Sequence, residues 1–153
     1  MGQTIAEKIL SNHNIEKKKV FADDFVDASI DCAMSHDNTG LISSIFKKIG
    51  KKKVWNPNDI VIVLDHRTPA NTEQTAINHK LIREFVYQQK IPHFFDVGQG
   101  ICHQLLVEHG FIRPGMLIVG EGQLLVERKA GLWKIVQPGS VSSTILYRIR
   151  ETP

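Results

Sequence analysis

Between Thr4 and Asn12 the apolar residues Ile5, Ile9 and Leu10 fall at helical spacing, which predicts a short helix anchoring the N-terminus. Phe25 to Cys32 alternates weakly, as a strand would, and runs into the polar turn Ser35-His36-Asp37-Asn38-Thr39-Gly40. Leu41 to Ile49 then places Leu41, Ile42, Ile45, Phe46 and Ile49 on one helical side, with Gly50 as the stop. Asp59 to Leu64 is a nearly continuous β-branched run, the signature of a buried strand, and Asp65-His66 follows at its C-terminal end. Asn71 is the predicted cap of the next helix, with Gln74 completing a capping box and Ile77, Leu81, Ile82, Phe85 and Val86 on the buried face. His93 to Val97 reads as a strand, Gly98-Gln99-Gly100 as a turn, Ile101 to Glu108 as a helix and Met116 to Val119 as a further strand. The alternation of strand and helix predicts an α/β fold with a mostly parallel sheet and right-handed crossovers. After Gly120 the pattern changes to short strand-like runs, Leu124 to Val126, Leu132 to Val136 and Ser143 to Ile149, so residues 1–120 and a β-rich tail, 121–153, are expected to be separate units.

At 153 residues, with 42% hydrophobic and 23% charged residues, the chain has the size and composition of one globular domain. Its apolar runs are far shorter than the ~20 residues of a membrane-spanning helix, and its N-terminus lacks the basic-then-apolar order of a secretory signal. A cytoplasmic protein without a membrane partner is expected. Cys32 and Cys102 are then expected to be thiols. The net charge of +3 comes with lysine runs at 17–19, 47–48 and 51–53. These runs follow predicted helix ends, where cations suit the dipole, and no aromatic residues interleave them for base stacking, so nucleic acid is not an expected partner.

In an open parallel sheet, ligands bind beyond the carboxyl ends of the strands. Three such ends carry histidines: His36-Asp37, Asp65-His66, and His103 just after Gly98-Gln99-Gly100. Glycines there allow close approach to the backbone, and the N–H groups of a helix start favour an anion. His36, Asp37, Asp65, His66, Gly98, Gly100 and His103 together form the candidate ligand site at these strand ends. His13, His79, His93 and His109 have no such placement, and His79 is expected to be solvated on the middle helix.

Several segments together resemble the N-terminal part of the aconitase superfamily, most closely the large subunit of 3-isopropylmalate dehydratase. They are residues 1–10, Met34 to Gly40, Leu64 to His66 with Pro69-Ala70-Asn71, Asp96 to Gln104, and Arg113 to Gly120. The resemblance covers about residues 1–120. It implies an aconitase-type α/β/α domain and the dehydration and rehydration of a hydroxy di- or tricarboxylic acid, as in leucine biosynthesis. It also implies a [4Fe-4S] cluster as Lewis acid and a small dehydratase subunit as partner. By position, Asp65 and His66 correspond to a pair that polarises or protonates the departing hydroxyl, His103 to a histidine that orients and handles protons, and His36 to a binding position.

The departures are as specific as the matches. Where the family continues with Asp-Ser-His-Thr, Gly120 is followed here by Glu121-Gly122-Gln123. Three cysteines further along normally hold the cluster, whereas this chain has two in all, and Cys102 lies in a Gly-Ile-Cys-His-Gln motif that is not ligating in the family. The expectation is a hydro-lyase portion, truncated or joined to a foreign tail after Gly120, with no cluster bound and no activity alone. Two alternatives stand beside it: a non-catalytic dicarboxylate-binding or assembly module, and a metal hydrolase using His36, Asp65, His66 and His103. No residue is expected to be a dedicated metal ligand, since no His-x-x-x-His pair marks a helical site.

Overall fold

A computed structural model of the chain describes residues 2–120 throughout and, as backbone, the strands 123–127 and 132–136. Its helices are α1 (Ile5–His13), α2 (Thr39–Lys48), α3 (Glu73–Gln89) and α4 (Cys102–Glu108). Its strands are β1 (Cys32–Ser35), β2 (Ile60–Val63), β3 (His93–Phe95), β4 (Leu117–Gly120), β5 (Gln123–Glu127) and β6 (Leu132–Val136). The sheet order is β3-β2-β1-β4-β5-β6. β1 pairs in parallel with β2 and β4, and β2 with β3, whereas β5 and β6 add on antiparallel. The fold is therefore α/β with a mostly parallel sheet, as the sequence predicts. The segment Ser143 to Ile149 lies outside the described residues.

The central strands are apolar on both faces, and the period of two sorts their side chains. Ala33, Ile60, Ile62 and Leu64 join Ile42 and Phe46 of α2 and Ile82, Phe85 and Val86 of α3 in one cluster. Cys32, Met34, Val61 and Val63 join Cys102, Leu105 and Leu106 of α4 in another. Helices thus cover both faces, and β1 and β2 lie between the layers with their carboxyl ends beside the starts of α2, α3 and α4.

Local chemistry fixes the helix ends. Thr4 and Glu7 form a reciprocal capping box on α1, and Lys47 and Lys48 occupy the last turn of α2. The cap of α3 is Thr72, whose side chain accepts from Thr75 N–H, one residue beyond the predicted Asn71. Its predicted face also needs correction: Ile77 and Leu81 are exposed, and the buried stripe is Thr75, His79, Ile82, Phe85 and Val86. The strand expected over Phe25 to Cys32 is β1 instead, beginning where that segment ends. A central parallel strand shows a continuous buried run rather than alternation, and Cys32-Ala33-Met34-Ser35 is buried throughout.

α2 and α3 approach most closely at Gly40, where an added Cβ would lie 1.9 Å from Asn78 Oδ1. Asn78 has little freedom to retreat, because its Nδ2 donates to the Asp37 carbonyl at 2.6 Å. Gly40→Ala is therefore expected to cost about 1–3 kcal/mol through overpacking, to be read as a lower urea midpoint with an unchanged m-value.

Candidate functional site

Three strand ends meet through two aspartates, each of which holds one backbone N–H and one imidazole. Asp37, just after β1, accepts from His66 N–H at 2.8 Å and from His79 Nε2–H at 2.9 Å. Asp65, just after β2, accepts from Cys102 N–H at 2.6 Å and from His66 Nδ1–H at 2.6 Å. The result is a continuous chain: His79, Asp37, the His66 backbone, the His66 ring, Asp65, then the start of α4. Cys102 extends it, sharing a hydrogen bond between its Sγ and His103 Nδ1 at 3.2 Å. His36 closes the group from above, its ring stacked on His66 with centroids 3.9 Å apart and planes 13° apart. His36, Asp65, His66 and His103 thus belong to one connected cluster.

Burial divides these residues by what they can do. Asp37 is 3% exposed and both its oxygens are engaged, so the expectation of a direct substrate contact is corrected to an internal brace. His79, expected in solvent, is 2% exposed and lies at the far end of the chain of bonds. Its signal was in the helix pattern: 75, 79, 82 and 86 form a stripe with polar members, and a buried imidazole demands a partner. The His66 side chain, by contrast, is 51% exposed. With Nδ1 committed to Asp65, Nε2 is the ring nitrogen left for a further contact. Gly98 and Gly100 have φ of +84° and +140°, backbone conformations that lead the chain from β3 into α4 and that side chains resist. A cleft of about 410 Å³ opens beside His66, with Arg67, Thr68, Asn71, Thr72 and Thr75 among its walls.

Burial raises the pKa of each aspartate, but their hydrogen bonds outweigh it. Asp37 falls below the ordinary carboxylate value through His79 and the His66 N–H, and Asp65 through the Cys102 N–H and His66. Both therefore stand as carboxylates, able to orient the imidazoles beside them.

The residues do not fit an iron–sulfur cluster. Such a centre takes cysteine thiolates on most of its irons, and the chain has two cysteines, both buried free thiols within one apolar cluster. Burial, with the charges of Asp59 and Asp31, pushes Cys32 up to about 12. Burial and the neighbouring Asp65 carboxylate do the same to Cys102, also to about 12. Both thiols are expected to react with an aromatic disulfide at pH 8 at least about 100-fold more slowly in the native protein than in urea; native labelling at the unfolded rate would contradict this burial. Two sets of ligand-type atoms lie within 4.8 Å, His36, Asp37 and His66, and Asp65, His66 and Cys102. In the first, both Asp37 oxygens are already taken by the His66 N–H and His79, and the second spends its atoms on internal hydrogen bonds. Among the described residues no helix is long and apolar enough to cross a membrane.

The sequence has relatives. The profile of the aconitase family (aconitate hydratase) matches residues 7–121. The chain belongs to the aconitase family. It is 50% identical over 121 residues to 3-isopropylmalate dehydratase large subunit 1 of Methanopyrus kandleri, a stretch covering 78% of this chain and 28% of that relative. The 3-isopropylmalate dehydratase large subunit of Aquifex aeolicus is 44% identical over 121 residues, 78% of this chain and 28% of its own. A probable methanogen homoaconitase large subunit of Methanosarcina mazei is 50% identical over 94 residues, 61% of this chain and 24% of its own. The chain thus spans about a quarter of the length of these aconitase-family relatives.

Proposed function

We propose that this chain is the substrate-handling portion of a hydro-lyase of the 3-isopropylmalate dehydratase large-subunit type, acting on a hydroxy di- or tricarboxylic acid in leucine biosynthesis. The observation that carries the reading is the unbroken run of hydrogen bonds from Asp37 through His66 and Asp65 to the start of α4, in a chain of the aconitase family. Asp65 orients His66, whose Nε2 exchanges a proton with the departing hydroxyl; His103 orients the acid and handles the second proton. His36 supports the His66 ring face and binds, and Gly98 and Gly100 let a carboxylate approach the backbone. In this reading residues 1–120 are the family unit and 121–153 a divergent tail. A small dehydratase subunit is the fitting partner, and the compartment is the cytoplasm. The cluster of the family would be held by cysteines from outside this chain, so the chain alone binds acid without turning it over.

The purified chain is expected to gain thermal stability from malate-type acids, and His103→Ala to lose that gain. No shift with any such acid would count against the site. Iron-dependent hydration of an alkene diacid by the chain with no other subunit would sink its incompleteness. The burial of both thiols favours a second reading, a non-catalytic dicarboxylate-binding or assembly module. Mixing with chains that supply the cluster cysteines separates the two: restored hydration supports the hydro-lyase portion, and binding without turnover supports the module.

A further inference from the structure

The least expected member of the cluster is His79, and its contacts are more specific than core packing requires. Its Nε2–H donates to Asp37 Oδ1 while the other Asp37 oxygen takes the His66 N–H. The preceding residue, Asn78, donates to the Asp37 carbonyl. Two consecutive residues of α3 therefore grip the carboxylate and the main chain of Asp37, and Asp37 grips the backbone of His66. We propose that His79 is a positioning residue: by fixing the rotation of the Asp37 carboxylate, it sets the His66 backbone so that the ring meets Asp65 and His36 in one orientation.

Stability alone does not call for this pair. A well-packed apolar residue would serve a core position as well or better, since buried ion-type pairs are often no more stabilising than hydrophobic replacements of similar volume. The other large residues of the stripe, Ile82, Phe85 and Val86, are apolar. What the polar pair adds is direction. A carboxylate held at both oxygens cannot rotate, and outer hydrogen bonds of this kind set the tautomer and angle of the groups they support. The line of bonds starts in the core at His79 and ends on a half-exposed imidazole beside the cleft. The proposal rests on the reading of His66 as the proton-handling group.

The test uses the purified full chain and two variants, H79Q, which retains an N–H donor, and H79L, which retains bulk without one. Ring-nitrogen NMR of His66 reads its tautomer, and calorimetric titration with malate reads the site. H79Q is expected to keep the wild-type His66 signals and malate affinity to within about twofold, whereas H79L loses the single tautomer and binds about tenfold more weakly. A folded H79L with unchanged His66 signals and affinity overturns the proposal. Should H79L not fold, H79Q decides: wild-type His66 signals support the proposal, and their loss despite the retained donor overturns it. If the wild type takes no malate, the acid-binding reading of the site fails, while the His66 spectra still judge His79 on their own.

Discussion

Asp37→Ala is expected to cost about 3–5 kcal/mol of folding stability, because removing one partner of a buried pair leaves the other uncompensated. His79 and Asp37 are both almost fully buried, and the aspartate also satisfies the His66 N–H, so alanine strands a core imidazole and a backbone donor together. Domains of this kind have about 5–15 kcal/mol in total, so the variant stands near the edge of folding. Asp37→Asn keeps the shape and one acceptor, and a loss of about 1–3 kcal/mol is expected. Urea unfolding at pH 7 measures both; an alanine variant within about 1 kcal/mol of wild type would show that the brace is dispensable. The same residue predicts the acid response. Its native pKa lies below its unfolded value, as does that of Asp65, so the unfolded state binds more protons in acid and stability drops as the pH is lowered. The contribution is complete above about pH 4, near the unfolded carboxylate value, and disappears as pH drops through the lowered native values. Stability of Asp37→Ala should therefore depend less on pH below about 4 than that of the wild type.

Those two aspartates also show how far a sequence can be read. β2 is legible as an unbroken β-branched run and α3 as a helix from its apolar spacing, and the polar groups at 36–37, 65–66 and 103 are legible as neighbours because parallel strands put their C-terminal ends on one side. The sequence puts a strand over Phe25 to Cys32 because that segment alternates weakly, whereas β1 itself is a short, wholly buried run with no alternation to mark it. The inward turn of Asp37 was not legible either: its partners His66 and His79 lie 29 and 42 positions away. His79 looked solvated because the apolar residues Ile77 and Leu81 drew the helix face toward themselves. Burial follows what the sheet presents, and here it presents an aspartate that makes a polar stripe the better fit. The stacking of His36 on His66 is a tertiary fact of the same kind, set by the side-by-side register of β1 and β2.

For Asp65, substitution is expected to separate stability from function. Asp65→Ala removes the acceptor of the Cys102 N–H and frees the His66 ring, with an expected cost of about 1.5–3 kcal/mol and loss of malate-induced stabilisation. Asp65→Asn is the sharper experiment. Its carbonyl can still accept from Cys102 N–H, which holds the stability loss to about 1 kcal/mol. Its amide then presents N–H to His66 Nδ1, which must become an acceptor, so the ring proton moves to Nε2. The ring nitrogen left for a further contact changes from acceptor to donor, and the carboxylate that would support a protonated ring is gone. A nearly wild-type urea midpoint, a His66 spectrum switched to the Nε2–H tautomer and a vanished malate shift are the expected results. A retained Nδ1–H tautomer in Asp65→Asn would show that something other than Asp65 orients His66. A retained malate shift with the tautomer switched would show that the acid's hydroxyl makes no binding contact with Nε2.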